Sequence, residues 1–255
     1  MHSNLIAFYT IVRKEVTRFM RIWSQTLLPP VITQTLYFII FGTFIGSQVR
    51  DINGISYMAF IVPGLVMMGV INSSFSNVVS SFYSSKFMKN YEEFMVSPAS
   101  NSAIIFGYVV GGMLRGLLVG LLVFGVSIFF TRPDIAHFGI ILLFIILTSL
   151  VFALGGLING IFARSFDDIS IFPTFVLTPL TYFGGVFYSI KDLPTIWQMV
   201  SKFNPILYMV DGFRYGFYGF SDIPVLYSLA MLLGIALILV GINVYLLKKG
   251  IGLKN

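Results

Sequence analysis

The sequence contains no cysteine and very little charge. Without cysteine, the chain has no disulfides, zinc-finger ligands, iron–sulfur clusters or thiol catalysis. Only 10% of its 255 residues are charged, whereas a soluble domain needs roughly 25% to cover its surface. Disorder is also excluded, because 27 phenylalanines and 13 tyrosines are the opposite of a disordered composition. The apolar runs are long and continuous, where β-barrel strands would alternate, so a helical integral membrane protein remains.

Long uncharged windows predict six membrane spans. A helix needs about 20 apolar residues to cross ~30 Å of hydrocarbon. We therefore expect an all-α polytopic membrane protein with a single transmembrane domain over residues 1–255. The predicted spans are about Thr26–Gly46, Tyr57–Ser80 and Ala103–Phe130, followed by spans within Ile135–Ala163, Ile169–Ile190 and Ile223–Leu247.

The positions of lysine and arginine predict that both termini are cytoplasmic. Of the 16 basic residues, ten fall on the side that holds the termini, five fall on the other side, and Arg115 lies inside the third span. Positive charges are retained on the cytoplasmic side of a membrane. The same bias accounts for the net charge of +6, so the basic composition does not require a nucleic-acid partner.

Residues 1–24 are predicted to form an interfacial helix. Arginine, lysine and glutamate interrupt this segment, so it lacks the apolar core of a cleavable signal peptide. A basic amphipathic helix lies at the headgroup level and faces anionic lipid. This helix serves either as a membrane anchor or as a surface that binds a partner protein. Its apolar face comprises Leu5, Phe8, Tyr9, Val12, Val16, Phe19, Met20 and Trp23.

The segment between spans two and three, residues 84–98, is predicted to form a short cytoplasmic amphipathic helix that stops at Ser97–Pro98. Its aromatic ridge favours a docking site for a soluble subunit over a solvated loop. The residues expected to couple to that subunit are Lys86, Lys89, Asn90, Tyr91, Glu92 and Glu93.

The segment between spans five and six, residues 189–222, is too charged to cross the membrane. Its apolar face around Trp197 covers about 11 residues, far less than a crossing requires. Asn204–Pro205 interrupts the pattern, and an aromatic-rich stretch follows. We therefore expect short re-entrant or interfacial helices on the outer side.

Polar residues inside the spans form two stripes. One contains Ser73, Asn77, Ser80 and Ser84, and the other contains Thr174, Thr178 and Thr181. Such groups either hold helices together or line a wet pathway. Small residues at four-residue spacing predict close helix packing within the subunit; they are Gly112, Gly116, Gly120, Gly156 and Gly160. The position of Arg115 beside these glycines favours a role as a structural anchor over a role in transport.

No arrangement of residues supports catalysis. His2 and His137 are predicted on opposite sides of the membrane, so they cannot share a metal. No acidic residue lies inside a predicted span, which argues against an ion-coupled carrier. The phosphate-binding pattern GxxxxGK[ST] is absent. If the chain performs active transport, the energy must come from another polypeptide.

The stretch from Phe172 to Arg214 resembles the signature of the type-2 permeases of ATP-binding-cassette exporters. It reads FPTFVLTPLTYFGGVFYSIKDLP and then NPILYMVDGFR, with Pro205, Tyr208 and Arg214 at the spacing of the terminal element of the family. The segments RFMRIWSQTLLPP and FIVPGLVMM also resemble this family, so the likeness covers nearly the whole chain. It is similar to bacterial inner-membrane permeases that work with a separate ATPase.

This resemblance implies a homodimer of six-span subunits, each bound to a cytoplasmic ATPase subunit that carries ATP and magnesium, with no cofactor in this chain. Residues 84–98 would be the coupling helix and residues 1–24 the connecting helix. Spans two and five would line the pathway for an amphipathic or polymeric substrate. A membrane anchor or sensor that recruits an ATPase for signalling is the alternative, and a passive channel is disfavoured because charged rings are lacking.

Overall fold

The computed structural model describes residues 2–52, 54–90 and 98–252, which are predominantly helical. Within these ranges the only β pairing is an isolated bridge between Ile52 and Ile55, so the predicted all-α class is confirmed. The helices are α1 His2–Arg21, α2 Trp23–Thr26, α3 Leu28–Tyr37, α4 Tyr57–Phe87, α5 Asn101–Ser127, α6 Phe138–Phe162, α7 Asp168–Phe172, α8 Thr178–Tyr182, α9 Thr195–Lys202, α10 Pro205–Tyr218 and α11 Val225–Lys249. A π-helix, Phe38–Ile45, continues α3, and a second one, Pro173–Leu177, joins α7 to α8.

Five helical segments in the described ranges are long and apolar enough to cross a membrane. They are Trp23–Ile45, Tyr57–Phe87, Asn101–Ser127, Phe138–Phe162 and Val225–Lys249. The predicted fifth span instead consists of α7, the π-turn and α8, three pieces of five residues each. At 1.5 Å per residue this stretch reaches about 22 Å. The count of six spans is therefore not confirmed and stays a prediction.

Helix α4 forms the centre of the bundle because glycines of α5 and α6 let both neighbours approach it closely. Added Cβ atoms at Gly112 and Gly116 would lie 3.0 Å and 3.1 Å from carbonyl oxygens of α4. On the other side, a Cβ at Gly156 would lie 2.6 Å from the carbonyl oxygen of Phe75. The glycine spacing thus produces packing within the subunit, as the sequence predicted.

The first span is bent at Leu27, where α2 ends and α3 begins. Pro30 has no N–H group, so it cannot donate the usual helical hydrogen bond to the carbonyl of Thr26. Arg115 of α5 takes over this role, since its Nη2 lies 3.0 Å from that carbonyl oxygen. The geometry supports the anchor interpretation of Arg115.

The helix ends gather into two groups, which we call the basic end and the opposite end. At the basic end, Lys86 Nζ donates to the carbonyls of Ile161 (2.8 Å) and Ala163 (3.0 Å), and so caps α6 from the end of α4. At the opposite end, the hydroxyl of Tyr218 donates to the carbonyl of Ala59 (2.7 Å). The beginning of helix α1 and the lysines that end α11 also lie at the basic end.

The predicted outer segment, residues 189–222, lies at the opposite end and contains α9 and α10. Helix α10 is largely buried and contacts α4, α6 and α11. Helix α9 exposes apolar side chains, among them Ile196 and Trp197. The short helices agree with the sequence pattern, while their re-entrant position stays a prediction.

Candidate functional site

One face of α4 remains partly accessible, and its accessible side chains between residues 72 and 84 are polar. Its residues step by four through the half of the helix nearest the basic end, and we call them the polar line: Asn72, Ser76, Ser80 and Ser84. Within the helix, Asn72 donates to the carbonyl of Met68 (3.0 Å), and Ser80 donates to the carbonyls of Ser76 (2.7 Å) and Asn77 (3.2 Å). The other polar atoms of these side chains are available to groups on the accessible side of the helix.

The residues of the predicted stripe divide between two faces of this helix. Ser73 and Asn77 are buried inside the bundle, whereas Ser80 and Ser84 are partly exposed. Two neighbouring faces of α4 carry polar residues, and the predicted stripe contains residues from both. Asn72 and Ser76 were missed for this reason, although their spacing from Ser80 was visible in the sequence.

The polar line contrasts with the exposed surface of α11. Leu226 is 76% exposed, Leu237 73% and Ile238 63%. Exposed leucine and isoleucine suit contact with lipid tails, whereas exposed serine and asparagine suit water or another protein surface. The two accessible faces are therefore adapted to different surroundings.

Asn77 belongs to a buried polar cluster that fastens α1 to α4. Glu15 is fully buried, and its carboxylate accepts hydrogen bonds from Arg18 Nη2 (3.0 Å), Asn77 Nδ2 (3.3 Å) and the hydroxyl of Ser81. The same Arg18 nitrogen also lies 2.9 Å from Asn77 Oδ1. For Asn77, the structure supports the role of holding helices together.

Glu15 was missed because the sequence pattern indicated only an apolar face on α1 and a position at the headgroup level. The buried residues of α1 are instead Ile11, Glu15 and Phe19. Gly107 and Gly111 of α5, also four residues apart, make room for Ile11 and Glu15. The matched spacing was the available signal. Four residues of the predicted apolar face are exposed by 47% or more: Leu5, Tyr9, Met20 and Trp23.

Helix α1 lies lengthwise along the bundle. Lys14, Glu15 and Arg18 hydrogen-bond to Ser85, Ser81 and Asn77, so α1 runs antiparallel to α4. Helix α4 has 31 residues and is about 46 Å long, which exceeds the ~30 Å of a hydrocarbon core. A headgroup-level position for α1 stays a prediction.

The threonine stripe is split by the π-turn between α7 and α8. Thr178 donates to the carbonyl of Pro173 (3.0 Å), five residues earlier. Thr174 and Thr178 are exposed beside Phe175, which is 73% exposed. Thr181 points inward and donates to the carbonyl of Leu177 (2.6 Å). The extra residue in the π-turn changes the phase of the helix, so one straight helical face does not hold all three.

Half of the predicted coupling residues fall within the described ranges. Lys86 belongs to the last turn of α4 and caps α6, as given above. Lys89 and Asn90 are exposed in the turn that follows, where Lys89 adopts a φ of 60°. Tyr91, Glu92 and Glu93 lie outside the described residues, like the rest of the segment to residue 97. Ser84–Phe87, the predicted start of the coupling helix, are the end of α4.

A second exposed surface adjoins this turn at the basic end. The rings of Phe87 and Phe166 meet at 5.2 Å, and both side chains are more than half exposed. The loop that carries Phe166 is fixed by Asp168, whose Oδ2 accepts from the backbone N–H groups of Arg164 (2.8 Å) and Ser165 (3.1 Å). The hydrogen bond from Arg164 is the main cause that lowers the pKa of this carboxyl.

The signature residues fix the opposite end of the bundle. Pro205 is the first residue of α10, which Asn204 caps through its Oδ1 and the N–H of Ile206 (3.0 Å). Tyr208 donates to the carbonyl of Lys202 (2.8 Å). Arg214 is buried, donates to the carbonyl of Gly185 (2.7 Å) and lies 3.9 Å from the ring centre of Phe60. Their observed contacts are structural.

The described residues offer little for a metal ion. No group of three or more histidine, aspartate or glutamate side chains in these ranges could hold one. The charged and polar groups that do converge are the Glu15 cluster, the polar line and the basic face of α1. These are suited to binding and to relative movement of helices.

Comparison with known proteins shows extensive similarity to bacterial transport permeases. The family of ABC-2 type transporters matches residues 6–218. The chain is 52% identical over 255 residues to the inner membrane transport permease YadH of Escherichia coli (strain K12), with 100% of both chains covered. It is 22% identical over 201 residues to nodulation protein J of Rhizobium leguminosarum bv. viciae, covering 75% of this chain and 76% of that protein.

Proposed function

Because this chain belongs to the ABC-2 type transporter family, we propose that it is the permease subunit of an exporter whose power comes from a separate ATPase. The family assignment makes it an integral inner-membrane transport protein. Our proposal adds that it moves an amphipathic or polymeric substrate out of the cytoplasm. The basic end would then face the cytoplasm, together with both termini.

The polar line of α4 is the observation that carries this proposal. Asn72, Ser76 and Ser80 occupy the accessible face in the middle of a helix that is largely buried. A row of exposed polar groups within an apolar bundle favours a hydrated pathway or a contact with a second subunit. The exposed Thr174 and Thr178 supply further polar groups on the α7–α8 stretch, whose π-turn contacts α4.

A second copy of the chain would complete this pathway. Ile32, Leu36 and Ile40 form an exposed apolar row on the first span. Tyr37 of this span lies 2.7 Å from Tyr182, oxygen to oxygen, so the first span and α8 present one joint surface. We propose that this surface contacts the second copy, with the polar lines of both copies in the interior and membrane lipid around the dimer.

Cysteine accessibility tests the pathway, because the natural chain is free of cysteine. Ser80→Cys should react with a charged, water-soluble thiol reagent in intact membranes. The matched controls are Ser74→Cys, at a fully buried position of the same helix, and Leu237→Cys, at a lipid-facing position. A lipid-soluble maleimide is applied in parallel as a second reagent. Ser74→Cys should react with neither reagent, and Leu237→Cys should react only with the maleimide. Equal protection of Ser80→Cys and Ser74→Cys would contradict a hydrated pathway.

The ATPase would dock at residues 84–98 of the basic end. Reversing the charges of Glu92 and Glu93 to arginine should uncouple ATP hydrolysis from transport without loss of folding. The matched control is Asp51→Arg with Asp134→Arg, which reverses two exposed carboxylates in loops at the opposite end. A separate P-loop subunit should co-purify with the unmodified chain and with the control. Unchanged coupling in the Glu92 and Glu93 variant would remove the docking assignment.

A further inference from the structure

The basic flank of α1 forms an open groove with a volume of about 540 Å³. Its lining residues recur along one side of the helix over three turns, and four of them are cationic. We call this the basic groove; it is lined by Thr10, Arg13, Lys14, Thr17, Arg18, Arg21 and Ile22. Arginine and hydroxyl side chains can donate hydrogen bonds to the acceptor oxygens of a phosphate group.

The positive charge of the groove is only partly neutralised by the described residues. Arg18 pairs with Glu15, whereas Arg13 and Arg21 form no ion pair within the described ranges. The buried Nε of Arg18 has no hydrogen-bond partner there. Burial is the main cause that lowers the pKa of Lys14; the nearby Glu15 acts in the opposite direction, and the positive charge of Arg18 lowers this pKa by a smaller amount. An anion in the groove would relieve this crowding of like charges.

The groove lies directly beside the polar line. The carbonyl oxygen of Asn77 accepts hydrogen bonds from both Arg18 (3.0 Å) and Ser80 (3.2 Å). A cation of the groove and a hydroxyl of the polar line therefore meet at one atom. A ligand held in the groove would have the polar line as its next set of hydrogen-bonding groups.

The other exposed flank of α1 is apolar. Leu5 is 64% exposed and Tyr9 is 65% exposed, and neither of these α1 residues lines the basic groove. A helix with a basic flank and an apolar flank lies at the boundary between lipid tails and headgroups. At that boundary, phosphate is the anionic group that membrane lipids present.

We propose that the basic groove of α1 is a binding site for the phosphate group of an anionic ligand at the entrance to the transport path. The role as an entrance rests on the proposed function, while phosphate binding does not. The phosphate could reach the groove on a lipid headgroup or as a soluble ion. Both sources present the same oxygens to Arg13, Arg18 and Arg21.

Fluorescence quenching tests the site on the full chain without an ATPase. Trp23 adjoins the groove residue Ile22, and Trp197→Phe leaves it as the only tryptophan. The chain is placed in phosphatidylcholine nanodiscs, and brominated phosphatidic acid is titrated in. Arg13→Gln with Arg21→Gln should weaken the apparent affinity obtained from the quenching curve about 30-fold, because each charge near an anionic surface contributes about fivefold. Both arginines are exposed, so the melting temperature should stay unchanged.

The matched control is Lys248→Gln with Lys249→Gln, which removes two exposed charges from the last turn of α11 at the same end. It should change the apparent affinity less than threefold. Equal weakening in both variants, or none in the groove variant, would overturn the proposal. Millimolar inorganic phosphate distinguishes the sources: displacement of the lipid supports a site for soluble phosphate, and groove-dependent binding that resists it supports a lipid headgroup. If binding fails while Ser80→Cys still reacts, the site is refuted and the transport proposal stands.

Discussion

Replacing Glu15 with alanine should destabilise the protein more than a typical single substitution, because three donors lose one carboxylate. Asn77 is fully buried and Ser81 is 3% exposed, and a buried donor left without an acceptor costs about 1–3 kcal/mol. The hydroxyl of Ser81 can rotate to another acceptor, so its cost falls at the low end of that range. The side chain of Arg18 is 29% exposed and keeps both oxygens of Asn77.

These contributions give about 3 kcal/mol, in line with the cost of breaking a buried ion pair, about 3–5 kcal/mol. For a chain of this size, 1 kcal/mol shifts the melting temperature by roughly 2–4 °C. We therefore expect a decrease of about 6–12 °C. The protein in detergent is heated in steps, and the fraction that remains monodisperse is measured by size-exclusion chromatography.

A second substitution separates loss of the cluster from loss of a charge on α1. Asn77→Leu removes the amide donor that Glu15→Ala would leave without an acceptor. In that background Glu15→Ala should therefore destabilise the protein less, by about 1 kcal/mol or more. Arg13→Ala, an exposed change on the same helix, should lower the melting temperature by less than 2 °C. A decrease below 2 °C for Glu15→Ala, or strict additivity with Asn77→Leu, would refute the assignment of the cluster as the fastening of α1.

Three further predictions follow from the packing. Gly156→Ala should lower the melting temperature by several degrees, because its Cβ would lie 2.6 Å from a backbone oxygen, whereas Gly155→Ala, with its nearest neighbour at 3.8 Å, should not; equal effects would contradict the close approach. Arg115→Met should be destabilising, and Pro30→Ala should reduce that cost by restoring an N–H for Thr26, so an unchanged cost in the double variant would argue against the substitute donor. Thr178→Trp should impair transport while an ATPase subunit still co-purifies; loss of assembly as its only effect would favour helix packing as the role of Thr178.

The long spans were predictable from the sequence because hydrophobicity over about 20 residues is a local property. The second, third and fourth predicted spans correspond to α4, α5 and α6, and the sixth to α11. The fifth did not appear as one long helix. Pro173 and Pro179 flank the π-turn there, and Gly185, with a φ of 72°, allows the chain to turn away soon after α8.

The candidate site was less predictable because it depends on contacts between distant segments. Helix α4 carries polar residues on two adjacent faces, and only the position of its neighbours decides which face stays accessible. Glu15 is separated from Gly111, against which it packs, by the whole of the first two spans. Its burial therefore leaves no local pattern beyond a shared spacing of four residues. The groove volume likewise depends on side-chain positions.

The bond between Arg115 and the Thr26 carbonyl also bears on how the protein is made. The ribosome completes the first span long before Arg115 emerges, so its acceptor is in place when α5 enters the bilayer. An unpaired arginine at a helix centre costs about 2.5–3.5 kcal/mol during insertion. The hydrogen bond to the carbonyl of Thr26 in the first span lowers this cost. Insertion of α5 therefore depends on the order in which the spans are synthesised. A circularly permuted chain that delivers α5 first would insert this helix less efficiently, even with every residue retained.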